Sequence, residues 1–331
     1  MLFALIDSLY VIAGSITADY KAPMTCRSRI LLAGVFASML VPAVAHAATD
    51  ACGVMARNLA SGQDLLATPQ LSAMLFGAAD NDCPALVPRL VAAGASIATR
   101  DRTGGTALTH AARSGRLNMI RELLAHGADI NQRDIGGATP LSVAIETSHT
   151  AAARALIEAG AEIGLAGHSG VTPLIAAAYN GNLAIVEALL AHNASPDATD
   201  ATGKSAIIYA AARGFDAIVE RLLKAGIDVN AVYANGLAVL SWAAGYAEDV
   251  PAADAVAIAG HLLDRGARID VIDDRGQTPL MIAASMDHAE MLELLLVRGA
   301  NPLIRDAQGR TAGDIASSEL LRTRLNQRPA R

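Results

Sequence analysis

The chain has 331 residues, of which 53% are hydrophobic but only 3% aromatic, and it carries a formal net charge of −6. Ala, Leu and Ile dominate the apolar mass, a composition suited to closely packed short helices and poor for a sheet sandwich. Binding nucleic acid by counterion release needs clustered Lys and Arg, so an acidic chain with no basic run in its body excludes that partner class.

Residues 1–23 fit no targeting architecture, because Asp7 and Asp19 interrupt them; they read as a mis-assigned start or leader, with Met24 the expected true start. Residues 24–47 have the three parts of a bacterial-style secretory signal peptide in order. Arg27 and Arg29 supply the positive region, Ile30 to Val44 the apolar core and Ala45-His46-Ala47 the cleavage site. The apolar run falls short of the roughly 20 residues of a comfortable membrane span. A periplasmic protein cleaved after Ala47 is expected, with no membrane span in the mature chain. An uncleaved N-terminal anchor, or secretion, is the alternative. Cys52 and Cys83 remain after cleavage. An even pair in an exported chain favours a disulfide; the other reading is two small buried apolar side chains.

Beyond a capping helix expected over 48–67, the chain repeats itself. Paired aliphatics recur at Leu90-Val91, Leu123-Leu124, Leu156-Ile157, Leu189-Leu190, Leu222-Leu223, Leu262-Leu263 and Leu295-Leu296, spaced by 33 residues four times, then by 40, then by 33. A second series keeps step: Thr106-Ala107-Leu108, Thr139-Pro140-Leu141, Thr172-Pro173-Leu174, Ser205-Ala206-Ile207 and Thr278-Pro279-Leu280. A hydroxyl followed by Pro starts a helix, since the side chain caps a free N–H and Pro at the first position loses no hydrogen bond. An Ala pair then keeps this first helix thin, as at Ala111-Ala112 and Ala177-Ala178, and the Leu pair marks the apolar stripe of a second helix. Glycine ends that second helix in every unit but one, where Asn193 stands in. An extended stretch and a turn marked by Asp and Gly come next, as at Asp101 with Gly104 and Asp134 with Gly137.

A unit of turn, helix, turn, helix and extended strand with these residues resembles the ankyrin repeat, whose pattern runs D-x-x-G-x-T-P-L-H-x-A-A, then G, L-L and G-A-D-V-N. The resemblance covers residues 68–316 and implies an all-α solenoid of stacked helix-turn-helix units with β-hairpin-like turn tips. Seven units are expected, at 68–100, 101–133, 134–166, 167–199, 200–232, 233–272 and 273–305, with a capping repeat and tail over 306–331. One departure is consistent: the His after T-P-L is replaced by Thr109, Ser142, Ile175, Ile208, Ser241 and Met281, which removes the hydrogen bonds it would lend between adjacent turns.

The resemblance also implies a protein partner, met by the concave surface of turn tips and exposed first-helix positions. The tip positions include Arg102, Thr103, His168, Ser169, Lys204, Asn235 and Gln277, and the helix positions include Glu146, Asn180 and Met286. Tyr and Arg are enriched at binding hot spots, which selects Arg102, Arg113, Tyr179, Arg213, Tyr246 and Arg275. Each of them also has a plainer reading as a solvated surface side chain. The sixth unit carries seven extra residues around Gly245–Pro251, and repeat insertions form loops on one face. Its acidic pair Glu248 and Asp249 would suit a basic partner surface; a tolerated extension with no role is equally open. Tyr209 and Trp242 stand where ankyrin units are usually buried, and read as core. His110, at the same register, reads as an interior histidine or as partial compensation for the lost turn bonds.

No H-E-x-x-H, C-x-x-C, G-x-S-x-G or phosphate-binding glycine loop occurs, and the recurring Asp residues are explained by their turns. The reading is therefore of a non-catalytic, monomeric scaffold with no cofactor or metal, binding a protein in the periplasm. An envelope stress or protective factor, or an immunity protein against a secreted toxin, is the alternative.

Overall fold

The computed structural model describes residues 51–61, 68–167 and 169–326. The signal segment 24–47, the leader 1–23, His168 and the last five residues lie outside that set. The chain divides into two units, Met1–Val54 and Met55–Arg331. Residues 51–54, the described part of the first, are helical. The second unit holds all of the repeats.

Helix succeeds helix along it. Residues 51–61 (α1) lead into Thr68–Asp80 (α2), a 3-10 turn at Pro84–Leu86 and Val87–Ala92 (α3). Then come Ala107–Arg113 (α4), Leu117–Ala125 (α5), Pro140–Glu146 (α6), Thr150–Glu158 (α7), Pro173–Tyr179 (α8) and Leu183–Ala191 (α9). The series continues with Ala206–Ala212 (α10), Asp216–Lys224 (α11), Val239–Ala244 (α12), Ala252–Asp264 (α13), Pro279–Ser285 (α14) and Ala289–Val297 (α15). Ala312–Ile315 (α16) and Glu319–Asn326 (α17) close it. Each first helix packs on its own second helix and on the first helices before and after it.

Local chemistry sets these boundaries. Thr106, Thr139, Thr172, Thr278 and Thr311 each cap a first helix by accepting the N–H of the residue three positions on. Thr109 and Ser142, two replacements of the family histidine, close reciprocal capping boxes with Thr106 and Thr139. Between the helices the chain reverses through a left-handed residue, and at Gly181 (φ 71°) an added Cβ would lie 2.7 Å from the Phe215 ring. Asn193 at the end of α9 takes φ 67°, the conformation its glycine counterparts adopt. Packing then obeys the sequence stripes. Leu108, Leu141, Leu280 and their partners Leu123, Leu156 and Leu295 are fully buried, and the Ala pairs between them are buried too. Burying each such Leu is worth about 1.5–3 kcal/mol against exposure, so the stack as a whole, not any one short helix, supplies stability.

Two expectations are corrected. The stretch after each terminal glycine is a turn, not a strand: Asp129 Oδ1 accepts the N–H of Asn131 at 2.9 Å and bends the chain at once. Strand-like pairing among the described residues is limited to isolated bridges, Thr199 with Ser205 and Val232 with Ala238. In the sixth unit the extra residues do not all enter the loop. Helix α13 has 13 residues where second helices such as α11 have 9, and the loop takes the remainder.

The ends are covered. Leu59 of α1 is fully buried, and Arg89 donates to the Ala56 carbonyl at 3.4 Å. At the other end Leu321 and Leu325 are buried, Ser317 N–H donates to the Ala284 carbonyl and Arg324 pairs with Glu293. Cys52 and Cys83 are both disulfide-bonded.

Candidate protein-binding surface

In five of the turns the tip is built on one carboxylate, from Asp101, Asp134, Asp200, Asp273 or Asp306, whereas Gly167 and Tyr233 stand at that register in the fourth and sixth units. Asp101 Oδ1 accepts the N–H groups of Thr103 and Gly105 at 2.7 and 2.9 Å, and Asp200, Asp273 and Asp306 repeat that pattern. Successive tips are then stitched by backbone bonds: Ile135 N–H to the Thr103 carbonyl, Ala201 to Ser169, Ala234 to Gly203, Asp274 to Asn235 and Ala307 to Arg275. These bonds join the turns where the family histidine is missing.

The tips differ in their use of the second carboxylate oxygen. In the last turn Arg310, four residues after Asp306, takes Asp306 Oδ2 at 2.8 Å. In the seventh unit Arg275 takes Asp273 Oδ2 at 3.0 Å. In the second unit His110 Nε2 lies 2.9 Å from Asp101 Oδ2, while its Nδ1 lies 3.0 Å from Asp80. In the fifth unit the Tyr209 hydroxyl donates to Asp200 Oδ2 at 2.6 Å. Lys204 stands four residues after Asp200, where Arg310 stands after Asp306, yet finds that oxygen occupied. Its ammonium lies instead over two rings, 5.7 Å from the centre of Tyr209 and 5.3 Å from that of Trp242.

This displacement begins a cluster across the fourth to sixth units. Tyr179 and Tyr209 meet edge to face at 5.6 Å, a favoured aromatic geometry. The Arg213 guanidinium lies 4.6 Å above the Tyr179 ring and 5.7 Å from Phe215. Beside them Ala176 occupies the register filled by Tyr209 and Trp242 in the next two units. Its small side chain leaves a hollow of about 360 Å³, walled by Glu146, Val171, Ile175, Tyr179 and Tyr209. Desolvation pushes the Glu146 carboxyl above its usual range, Asp134 adds to the rise, and Arg113 opposes it. Burial together with the bond to Asp200 pushes the Tyr209 hydroxyl up to about 12.

Of the residues singled out from sequence, Tyr179 and Arg213 are brought together here. Tyr179 is 47% exposed and Arg213 half-buried. Arg102 and Arg113 are exposed on the second unit, and neither enters an ion pair among the described residues. Glu248 and Asp249 are exposed on the sixth-unit loop. Arg275 is exposed but committed to Asp273. Tyr246 is placed otherwise than its selection supposed: it is only 8% exposed, stacked on His288 at 3.7 Å, while His288 Nδ1 lies 3.0 Å from the Ala244 carbonyl. Its ring holds the sixth-unit loop on the seventh unit and leaves little surface to a partner. Tyr209 and Trp242, read as core, are half-buried, with one face of each ring against Lys204. The signal that would have found them is Lys204 four positions after Asp200, with a phenol five further on.

Among the described residues no group of three or more His, Cys, Asp or Glu is placed to hold a metal ion, and no helix is long and apolar enough to cross a membrane.

Comparison with known proteins agrees with this architecture. A family model of ankyrin repeats in three copies matches residues 75–167 and 164–233, and a second model of many ankyrin repeats matches residues 262–316. The crystal structure of the human ASB11 ankyrin repeat domain is similar at a TM-score of 0.59 and 30% identity, covering 68% of this chain and 98% of that one. The ankyrin repeat and LEM domain-containing protein 1 homolog of Caenorhabditis elegans is 46% identical over 68 residues, 20% of this chain, and the match spans a tenth of that protein's length. Ankyrin-repeat proteins are in general interaction modules and not enzymes, and a stack whose turns, caps and buried stripes recur in step with both matches belongs to the ankyrin-repeat family.

Proposed function

We propose that the chain is a non-catalytic scaffold of the bacterial periplasm that binds a protein partner across the first helices and turn tips of its central units. The observation carrying this reading is the Tyr179, Tyr209, Trp242 and Arg213 cluster beside its hollow. Tyr and Arg held on a rigid support, next to a cleft able to take a side chain, are the anchors that dominate protein interfaces. Rigid placement also lowers the entropy lost on association.

Export is supported by the signal-peptide pattern of the sequence over 24–47 and by disulfide-bonded cysteines, which persist in oxidising compartments. Mass measurement of the exported protein tests this arm: a chain beginning at Ala48 is expected, and a product retaining the signal would point to an anchored form.

Affinity capture from periplasmic extract tests the surface. Tyr179→Ala is expected to lower recovery of any specific partner about tenfold or more, in keeping with loss of a hot-spot side chain. Arg113→Glu and Arg102→Glu probe the extent of the face toward the second unit. Partners recovered unchanged by all three variants would place binding elsewhere.

A further inference from the structure

We infer that the central cluster recognises an extended acidic segment of a partner protein, one apolar side chain entering the hollow by Ala176 and carboxylates meeting Lys204 and Arg213. The inference rests on the proposed binding face and specifies the chemistry of what it binds.

The fold leaves charge in this cluster that it does not neutralise. Lys204 is displaced from Asp200 by the Tyr209 hydroxyl, and its ammonium rests on Tyr209 and Trp242. Arg213 rests on Tyr179 and Phe215. Neither cation forms an ion pair among the described residues, whereas the turn cations Arg275 and Arg310 are paired with the Asp of their own turns. Ring faces hold a cation in place without cancelling its charge, so both remain able to receive a carboxylate. Hydrogen-bonding capacity is also unspent: Arg213 Nε and Trp242 Nε1 are buried with no partner among the described residues. A buried donor in that state is costly, so a ligand that rearranges the cluster to satisfy it gains accordingly.

Shape supplies the second part. Between the two tyrosines and Ile175 the hollow is mainly apolar, with Glu146 and Asn180 as its polar walls. The Glu146 wall opposes a carboxylate entering the hollow itself, which places the acidic groups of the ligand on the Lys204 and Arg213 side. Lys204 and Arg213 flank α10 of the fifth unit, Lys204 leaning to Trp242 of the sixth unit and Arg213 to Tyr179 of the fourth, so an extended chain crossing the fourth to sixth units meets both cations.

The test uses the full oxidised chain and a phage-displayed library of random nonapeptides. Selection is expected to enrich Asp and Glu flanking a Leu, Ile, Met or Phe, with binding that weakens as salt rises. Lys204→Glu and Arg213→Glu are each expected to weaken a selected peptide about tenfold, Lys204→Arg to retain it and Ala176→Leu to block it, with circular dichroism confirming that each variant folds. Neutral or basic selected sequences, no selected sequence at all, or acidic ones indifferent to both charge reversals would overturn the inference. Selected peptides that are not acidic but are lost with Tyr179→Ala would leave the binding face standing while removing its charge preference. Acidic peptides indifferent to Tyr179→Ala and to the reversals would remove both.

Discussion

Single carboxylates organise most of the turns, and their environment makes stability depend on pH. Burial alone would raise the pKa of Asp101, but hydrogen bonds from Thr103, His110 and Gly105 outweigh it and leave the group lowered. Asp200 is likewise lowered, burial being outweighed by bonds from Tyr209, Thr202 and Lys204. A carboxylate depressed in the folded state contributes stability above its unfolded value, near 3.9, and loses it as pH falls through the lower folded value. Acid unfolding monitored by circular dichroism should therefore set in below about pH 4. Asp200→Asn should weaken that dependence while costing about 1–3 kcal/mol at neutral pH. Tyr209 acts in the opposite range. Its phenol is raised to about 12, so its contribution is complete below the ordinary value near 10 and is lost as pH rises through the folded one. Ultraviolet titration should show a tyrosine ionising near 12 that disappears in Tyr209→Phe, while burial also raises Tyr233 and Tyr246. A set of tyrosines all titrating near 10 would contradict the Asp200 bond.

Helices of seven to nine residues are too short to persist alone, and each is defined by what begins it, what ends it and what it packs against. Gly160 and Gly181 separate two demands made at helix ends. Both have positive φ, but a Cβ at Gly160 meets nothing within 4 Å, whereas one at Gly181 strikes the Phe215 ring. Gly160→Ala should cost about 1 kcal/mol from backbone strain alone. Gly181→Ala should cost about 2–3 kcal/mol, because the same strain is joined by displacement of a packed ring. Urea unfolding at matched pH compares the two; equal losses would remove the steric account. In the middle of the stack Leu156 is fully buried, and Leu156→Ala should cost about 2–5 kcal/mol by the same measurement.

Across the whole molecule the repeats support one another through their neighbours. A bond between Cys52 and Cys83, the pairing expected from the amino-acid sequence, would close a loop of about 30 residues, which in the chain-entropy model is worth about 3–4 kcal/mol. Reduction of the exported chain should lower its urea midpoint accordingly, and a thiol assay on the unreduced, denatured protein should find neither cysteine free. A midpoint unmoved by reductant would leave the bond without a stabilising role.

The fold was legible from the amino-acid sequence because its determinants are local and repeated. Thr before Pro, an Ala pair, a Leu pair and a terminal Gly each constrain a few neighbouring residues, and recurrence at 33 positions multiplies a weak signal. Asn193 could be recognised as a helix end for the same reason, since its left-handed conformation depends on its own backbone. The candidate site was legible only in part. Tyr179 and Arg213 could be named one by one, but their contact joins residues 34 positions apart on different units. Tertiary packing alone decided that Tyr246 would be covered by His288, that Ala176 would leave a hollow between larger neighbours, and that Tyr209 would claim Asp200 and turn Lys204 onto two rings. Backbone preferences act within a few residues and so can be read along the chain; competition for a single carboxylate oxygen is settled in space, by whichever donor the stacked helices bring nearest.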